Sequence, residues 1–298
     1  MKIGRLLTAM VTPFDENGQV HYAQAKRLAL ALLDSGSDGV VVAGTTGEAP
    51  TLSVDEKLTL FSEIKGAVGE RGSVLAGTST YNTAESVELT REATARGVDG
   101  MLLTTPYYSK PPQEGLFRHF EAIAGATTLP CVLYNVPSRT SINLTAETTV
   151  RLSQVPNIVG TKEASGDLLQ IATIAAETDD DFRVWSGDDQ LTLPIMAVGG
   201  YGAVSVVAHL AGAQIHSLID AHVDGRAAEA ARTHQRLLPL IMAIMTTMSN
   251  PIPVRHALNT IGFKVGKPRL PLVEPDASTG DQIAEEVRRS QIDLAVTV

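Results

Sequence analysis

The feature that most narrows what this chain can become is a strict alternation of short apolar runs with segments of helical spacing. Residues 6–11, Leu-Leu-Thr-Ala-Met-Val, form a continuous apolar run closed by Thr12-Pro13. That is the pattern of a strand buried on both faces of a parallel sheet. Residues 21–35 then carry apolar positions at helical spacing and stop at Gly36, a usual helix terminator. Strand-like runs recur at 39–43, 74–77, 100–104, 131–134, 158–161, 183–185 and 203–206, which with the first makes eight. Helical patterns at 54–68, 84–96, 114–124, 146–152, 168–177, 191–197 and 211–223 separate or follow them. Strict alternation implies a parallel sheet, and eight units imply closure into an α/β TIM (β/α)8 barrel. A doubly wound open sheet is the alternative, but such sheets more often have five or six strands. Gly36-Ser37-Asp38-Gly39 and Gly97-Val98-Asp99-Gly100 are echoes of one helix-stop and turn, as expected of repeated units.

Beyond residue 223 the strand signal ends. Residues 226–248, 253–258 and 281–295 read as helices parted by turns such as Asn250-Pro251-Ile252-Pro253. The expected division is therefore a barrel at 1–223 and a C-terminal helical appendage at 224–298. A length of 298 residues with 44% hydrophobic content suits this plan, since such barrels run to about 250 residues before extensions. The net charge of -9 argues against a nucleic-acid or anionic-membrane surface. Cys131 is the one cysteine, in an apolar run, and so reads as a small packed hydrophobe. Lys2 and Arg5 precede only a short apolar run that Pro13, Asp15 and Glu16 end, so no secretory leader is expected. The longest later apolar run, 237–245, is too short to span a bilayer. A cytoplasmic protein handling small molecules is the expectation.

One stretch carries an oddity. Asn157-Ile158-Val159-Gly160-Thr161-Lys162-Glu163 places a lysine at the carboxyl end of the sixth apolar run, and that end is the catalytic face of a closed parallel barrel. Burial there would lower the amine's pKa and make Lys162 a nucleophile toward carbonyl groups. The competing reading is a lysine that reaches solvent or pairs with Glu163.

The other strand ends are unusual too. Gly44-Thr45-Thr46-Gly47-Glu48 can converge amides and hydroxyls on a small anion, or can be an ordinary turn before a helix cap. Pro106-Tyr107-Tyr108 is stiffer than a connection needs, and Tyr134 ends the fifth run with Arg139 close behind. A phenol can shuttle protons and a guanidinium can grip a carboxylate in a fork. In Trp185-Ser186-Gly187-Asp188-Asp189, the glycine permits close backbone approach and the aspartates read as helix caps. No histidine shows metal-type spacing and no nucleotide fingerprint follows any strand, so neither a metal nor a cofactor is expected.

Taken in order and spacing, the Gly44–Glu48 loop, Pro106-Tyr107-Tyr108, Tyr134-Asn135-Val136-Pro137 with Arg139, Lys162-Glu163-Ala164 and Ser186-Gly187-Asp188 resemble the class I pyruvate-dependent aldolase barrels. Within that superfamily the chain is most similar to the dihydrodipicolinate synthase family, over essentially its whole length. The resemblance implies that Lys162 forms an imine with pyruvate, while Thr46 holds the pyruvate carboxylate with backbone at Gly187 and Val204. It implies a proton relay of Tyr134, Thr45 and Tyr108, the last reaching a neighbouring subunit's site, and a clamp by Arg139 on L-aspartate 4-semialdehyde. It implies a homotetramer, a dimer of dimers. N-acetylneuraminate lyase and keto-deoxy sugar acid aldolases share the lysine, the tyrosine and the Gly-Thr-Thr-Gly loop, but a polyhydroxyl substrate has no need of Arg139. A barrel that only binds a small acid is the non-enzymatic alternative. Lysine-sensitive relatives bind the amino acid near the tyrosine loop; Glu85 and Tyr107 of that pocket are kept, while Val54, Lys57 and Tyr81 stand at the changed positions. Weak or absent inhibition by lysine is the expectation.

Overall fold

The computed structural model describes residues 3–296. Eight parallel strands close into one barrel in sequence order: β1 (Leu6–Ala9), β2 (Gly39–Val42), β3 (Ser73–Gly77), β4 (Gly100–Thr104), β5 (Cys131–Asn135), β6 (Ile158–Glu163), β7 (Arg183–Ser186) and β8 (Gly202–Ser205). All eight expected runs are strands, shifted by a few residues at most. The chain divides into two compact units, Leu75–Val204 and residues 3–74 with 205–296.

In the unit Leu75–Val204, the helices are α3 (Thr83–Ala95), α4 (Gln113–Ala124), α5 (Pro137–Thr140), α6 (Ala146–Leu152), α7 (Leu168–Glu177) and α8 (Thr192–Ala197). The local chemistry explains their starts. Asn82 caps α3 by accepting from the Ala84 and Glu85 amides, Thr145 caps α6, and Asp167 caps α7 after Gly166 turns the chain at φ 77°. Ile171 and Ile174 of α7 pack with Val184 of β7 and Ile195 of α8 in a dry cluster. The β5–β6 pairing sets Tyr134 opposite Lys162 and Asn135 opposite Glu163, and β6–β7 sets Lys162 opposite Trp185.

The other unit holds β1 and β2 with α1 (Tyr22–Asp34) and α2 (Val54–Val68), and then α9 (Ala208–Val223), α10 (Ala227–Met245), α11 (Ile252–Thr260) and α12 (Ala277–Arg289). Ser53 and Glu56 make a reciprocal capping box at the start of α2. The expected helix at 281–295 is corrected: it begins at Ala277, capped by Asp276, and ends at Arg289. Beyond it the Asp293 amide donates to Leu210 O of α9, so that stretch pairs with the fold instead of continuing the helix. A buried ion pair ties α11 to the loop after β2: Arg255 Nε lies 2.6 Å from Glu48 Oε1, with the two side chains 2% and 0% exposed.

Candidate active site

The β6 strand runs two residues past its expected end, so Lys162 and Glu163 are themselves strand residues. Successive strand residues face opposite sides, and the two side chains meet different surroundings. Glu163 accepts from Asn135 Nδ2 at 3.0 Å and Ser165 Oγ at 2.7 Å, within a polar network that reaches Asn143 and Gln170 of α7. It therefore faces the helix side. Lys162, 4% exposed, faces the other way, and its Nζ lies 4.1 Å from the Tyr134 ring centroid. The expected alternative of a Lys162–Glu163 pair is not what the fold makes.

Loss of water is the largest influence on Lys162 and lowers its pKa to about 7; Asp189 pulls it up and Arg139 pushes it down. A group that is charged and desolvated destabilises the native state. Because the unfolded amine keeps its proton up to its ordinary value of 10.5, the native state binds fewer protons than the unfolded chain between about pH 7 and that value. The cost to folding is thus full below pH 7 and fades as pH rises to the upper limit. Burial also pushes Glu163 up to about 7, with Ser165 and Asn135 opposing it. Two adjacent residues are poised near neutrality, one on each face of a strand.

Gly187 is required by contact. A Cβ there would come within 2.9 Å of Lys162 Cε and 3.0 Å of Ala164 Cβ, while its amide donates to Glu163 O at 2.6 Å. Backbone therefore lies against the lysine stem. Asp188, as expected, is a cap: it accepts from Gln190 N at 3.0 Å. Asp189 is 4% exposed and acts electrostatically on Lys162, a part that its sequence context did not reveal. Arg139 is exposed at the end of α5. That one-turn helix, begun by Pro137, is too short to show helical spacing in the sequence. Val204 is buried on β8 at 1% exposure.

Tyr108 is 92% exposed, with φ 73°, on the loop after β4. Its neighbour Tyr107 meets Tyr81 edge to face, ring centroids 5.1 Å apart. Burial raises the Tyr107 pKa, reinforced by Tyr81 and Glu85, so these three positions form one group. Lys57 of α2 is buried at 9% exposure.

In the other unit, the Gly44–Glu48 loop is tightly determined. Thr46 is 2% exposed and its Oγ1 accepts from Asn250 Nδ2 at 2.9 Å. A Cβ on Gly47 would sit 3.1 Å from Met10 O and 3.2 Å from Ala43 Cα, and Thr12 Oγ1 donates to Gly47 O at 2.7 Å. Thr45 is half-buried, and its carbonyl accepts from the Glu48 amide. The Asn250 partner was missed, because a contact across 204 residues leaves no local pattern. Among the described residues no group of three or more His, Cys, Asp or Glu could hold a metal ion, and no helix is long and apolar enough to cross a membrane.

A closed (β/α)8 barrel with a dry, readily deprotonated strand lysine against a phenol has the makings of a class I, amine-using aldolase-type barrel. Residues 2–290 match the dihydrodipicolinate synthetase family, and the chain belongs to that family. It is 54% identical over 295 residues to the 4-hydroxy-tetrahydrodipicolinate synthase of Dehalococcoides mccartyi, covering 99% of each chain. Among solved structures it is similar to the dihydrodipicolinate synthase of Bacillus anthracis, at 43% identity and a TM-score of 0.94 over 97% of this chain and 98% of that one. It is likewise similar to the DHDPS of Cyanidioschyzon merolae with lysine bound, at 46% identity and a TM-score of 0.94 over 96% and 97%.

The lowered pKa has a direct readout. Reductive methylation by a small aldehyde and cyanoborohydride, followed residue by residue by peptide mass spectrometry, is expected to show Lys162 reactivity rising through about pH 7 and level above it. Surface lysines should keep gaining up to about pH 10.4. A Lys162 midpoint with the surface lysines would contradict the desolvated amine.

Proposed function

We infer that this chain is a lyase that condenses pyruvate with L-aspartate 4-semialdehyde to 4-hydroxy-tetrahydrodipicolinate, in the diaminopimelate and lysine branch of amino-acid biosynthesis. Full-length identity of 54% to a synthase of that name supports the reaction. The single observation that carries the chemistry is the buried Lys162 amine with its pKa near 7.

In this reading the neutral amine of Lys162 attacks the pyruvate keto carbon, and water leaves to give an imine. The protonated imine draws electrons from the methyl group; loss of a methyl proton leaves an enamine, whose carbon bonds to the aldehyde carbon of the second substrate. The amine of the bound product then displaces Lys162 by transimination, closing the ring and freeing the enzyme. Tyr134, against the lysine in the structure, passes protons together with Thr45 and with Tyr108 of a neighbouring copy. Thr46 holds the pyruvate carboxylate with backbone at Gly187 and Val204, and Arg139 holds the semialdehyde's carboxylate. Tyr108 at 92% exposure, beside a ring pair on a stiff loop, supports a homo-oligomer; a dimer of dimers is the proposed assembly. We also propose a cytoplasmic location, and a functional division into a barrel at 1–223 and a helical appendage at 224–298.

Pyruvate with borohydride is expected to inactivate the protein and leave a mass adduct on the peptide containing Lys162. Lys162→Arg should abolish both effects while keeping the fold, since arginine stays protonated. An adduct mapped elsewhere would refute the assignment. Arg139→Ala should cost about 1.5 to 3 kcal/mol in kcat/KM for the semialdehyde by removing a charged hydrogen-bond partner from its carboxylate, with trapping of pyruvate alone preserved. Equal loss of both would make Arg139 a structural residue.

Lysine is expected to inhibit weakly or not at all. Val54 offers no side-chain hydrogen bond, and Lys57, where it carries its charge toward the pocket, disfavours a cationic ligand. At about 4 Å with surface-like screening that repulsion reaches a few kcal/mol. Initial rates at fixed pyruvate, titrated with lysine, check this: saturable inhibition at submillimolar lysine would overturn it.

A further inference from the structure

The turn between α10 and α11 sends one side chain to the Gly44–Glu48 loop. Asn250 Nδ2 donates to Thr46 Oγ1 at 2.9 Å. A threonine hydroxyl has one hydrogen to give and two lone pairs to receive. With a lone pair occupied by Asn250, the hydrogen of Thr46 is not used in that contact and is directed away from it. Thr46 is 2% exposed, so bulk water does not set the rotor.

The asparagine is itself held in place. Two residues beyond it α11 begins, and Arg255 of that helix pairs with Glu48 at the far end of the same loop. The Arg255 guanidinium also donates to Val265 O at 2.7 Å and to Thr12 O, and the Arg269 amide donates to Glu48 Oε2 at 3.0 Å. The loop is thus gripped at Thr46 and at Glu48 by the same C-terminal stretch. A buried ion pair fixes the helix, and the helix fixes the turn that carries Asn250.

We propose that Asn250 is a positioning residue for the α-keto acid substrate: its amide N–H holds the Thr46 hydroxyl in the orientation that donates to the substrate carboxylate. This rests on the reading of Thr46 given under Proposed function. It adds a residue outside the barrel strands and their loops to the recognition of pyruvate, and assigns a substrate-binding task to the C-terminal helices. Pre-orienting a donor before the substrate arrives removes a reorganisation that would otherwise weaken binding.

The test is steady-state kinetics of the full-length enzyme with both substrates for Asn250→Ala, Asn250→Asp, Thr46→Val and the Thr46→Val/Asn250→Ala double variant. Asn250→Ala is expected to raise the KM for pyruvate about three- to tenfold, the worth of one neutral hydrogen bond, with kcat and the semialdehyde KM changed by less than about twofold. Asn250→Asp keeps the shape but replaces the donor by an acceptor, which captures the Thr46 hydrogen and repels a carboxylate. Its pyruvate KM should exceed that of Asn250→Ala, and it supplies the test if the alanine variant does not fold. In the Thr46→Val background the Asn250→Ala change should add nothing, because the two act through one hydroxyl. An unchanged pyruvate KM in Asn250→Ala, or a full effect persisting beside Thr46→Val, would overturn the proposal while leaving Thr46 in its role. An unchanged pyruvate KM in Thr46→Val would instead overturn the reading of Thr46, and this proposal with it.

Discussion

The chemistry proposed for this fold depends on one cost: an ammonium group deprived of water on the inner face of a β-strand. Nothing specific to the amine makes it reactive; desolvation penalises its charged form and brings the pKa to about 7. Asp189 works against the shift and Arg139 with it. The opposed pulls matter because neither extreme serves. An amine held far below neutrality is a poor base, and one left near 10.5 is almost wholly protonated at neutral pH. Desolvation sets the scale, and the two charges trim it.

Strand geometry lets this cost be localised. Lys162 and Glu163 are neighbours in the chain but occupy opposite faces, so the carboxylate cannot neutralise the amine. Glu163 is satisfied instead by Asn135 and Ser165. Asn135 follows Tyr134, and Tyr134 is the register partner of Lys162. The outer network therefore pins the two strand ends whose inner faces carry the amine and the phenol. Gly187 completes the arrangement just past the end of β7, where a side chain would strike the lysine stem. Packing on one face and hydrogen bonding on the other fix the same pair of residues.

The eight strands were legible because strands of a closed parallel barrel are buried on both faces and so are written as unbroken apolar runs. Helix starts were legible at caps such as Asp167 and Ser53, but not at Asp276, whose side chain caps α12 ahead of the expected start. The reading stopped short where polar residues continue a strand: Asn135 and Glu163 are register partners at the ends of β5 and β6, and their side chains also hydrogen-bond, a tertiary fact without a local signature. Pro137–Thr140 was missed as a helix because four residues carry no periodicity. The chain past Arg289 looked helical by composition, yet Asp293 is held by α9 through Leu210 O and the Gln214 amide. Lys162, Tyr134 and Gly187 could be singled out from strand ends and glycine placement. Asp189 was visible only as a cap, and Asn250 only as part of a turn.

The pairing of Glu48 with Arg255 shows why a catalytic barrel would carry helices after its last strand unit. Both side chains are essentially without solvent, and taking two charges out of water costs several kcal/mol per ion before their attraction is counted. Such a pair is a poor choice if stability alone is at stake, since apolar residues of like volume often do as well. It does, however, have directional demands that apolar packing lacks. Glu48 sits at φ 58°, a left-handed conformation that a non-glycine residue adopts at some cost, and both its oxygens are engaged, one by Arg255 and one by the Arg269 amide. The same guanidinium reaches Thr12 O, whose own hydroxyl holds Gly47 O. The pair therefore specifies the backbone path of the loop that presents Thr45 and Thr46. What is given up in desolvation is returned as a loop with one conformation, which is what the proposed binding of a small anion asks of the loop's hydroxyls and amides.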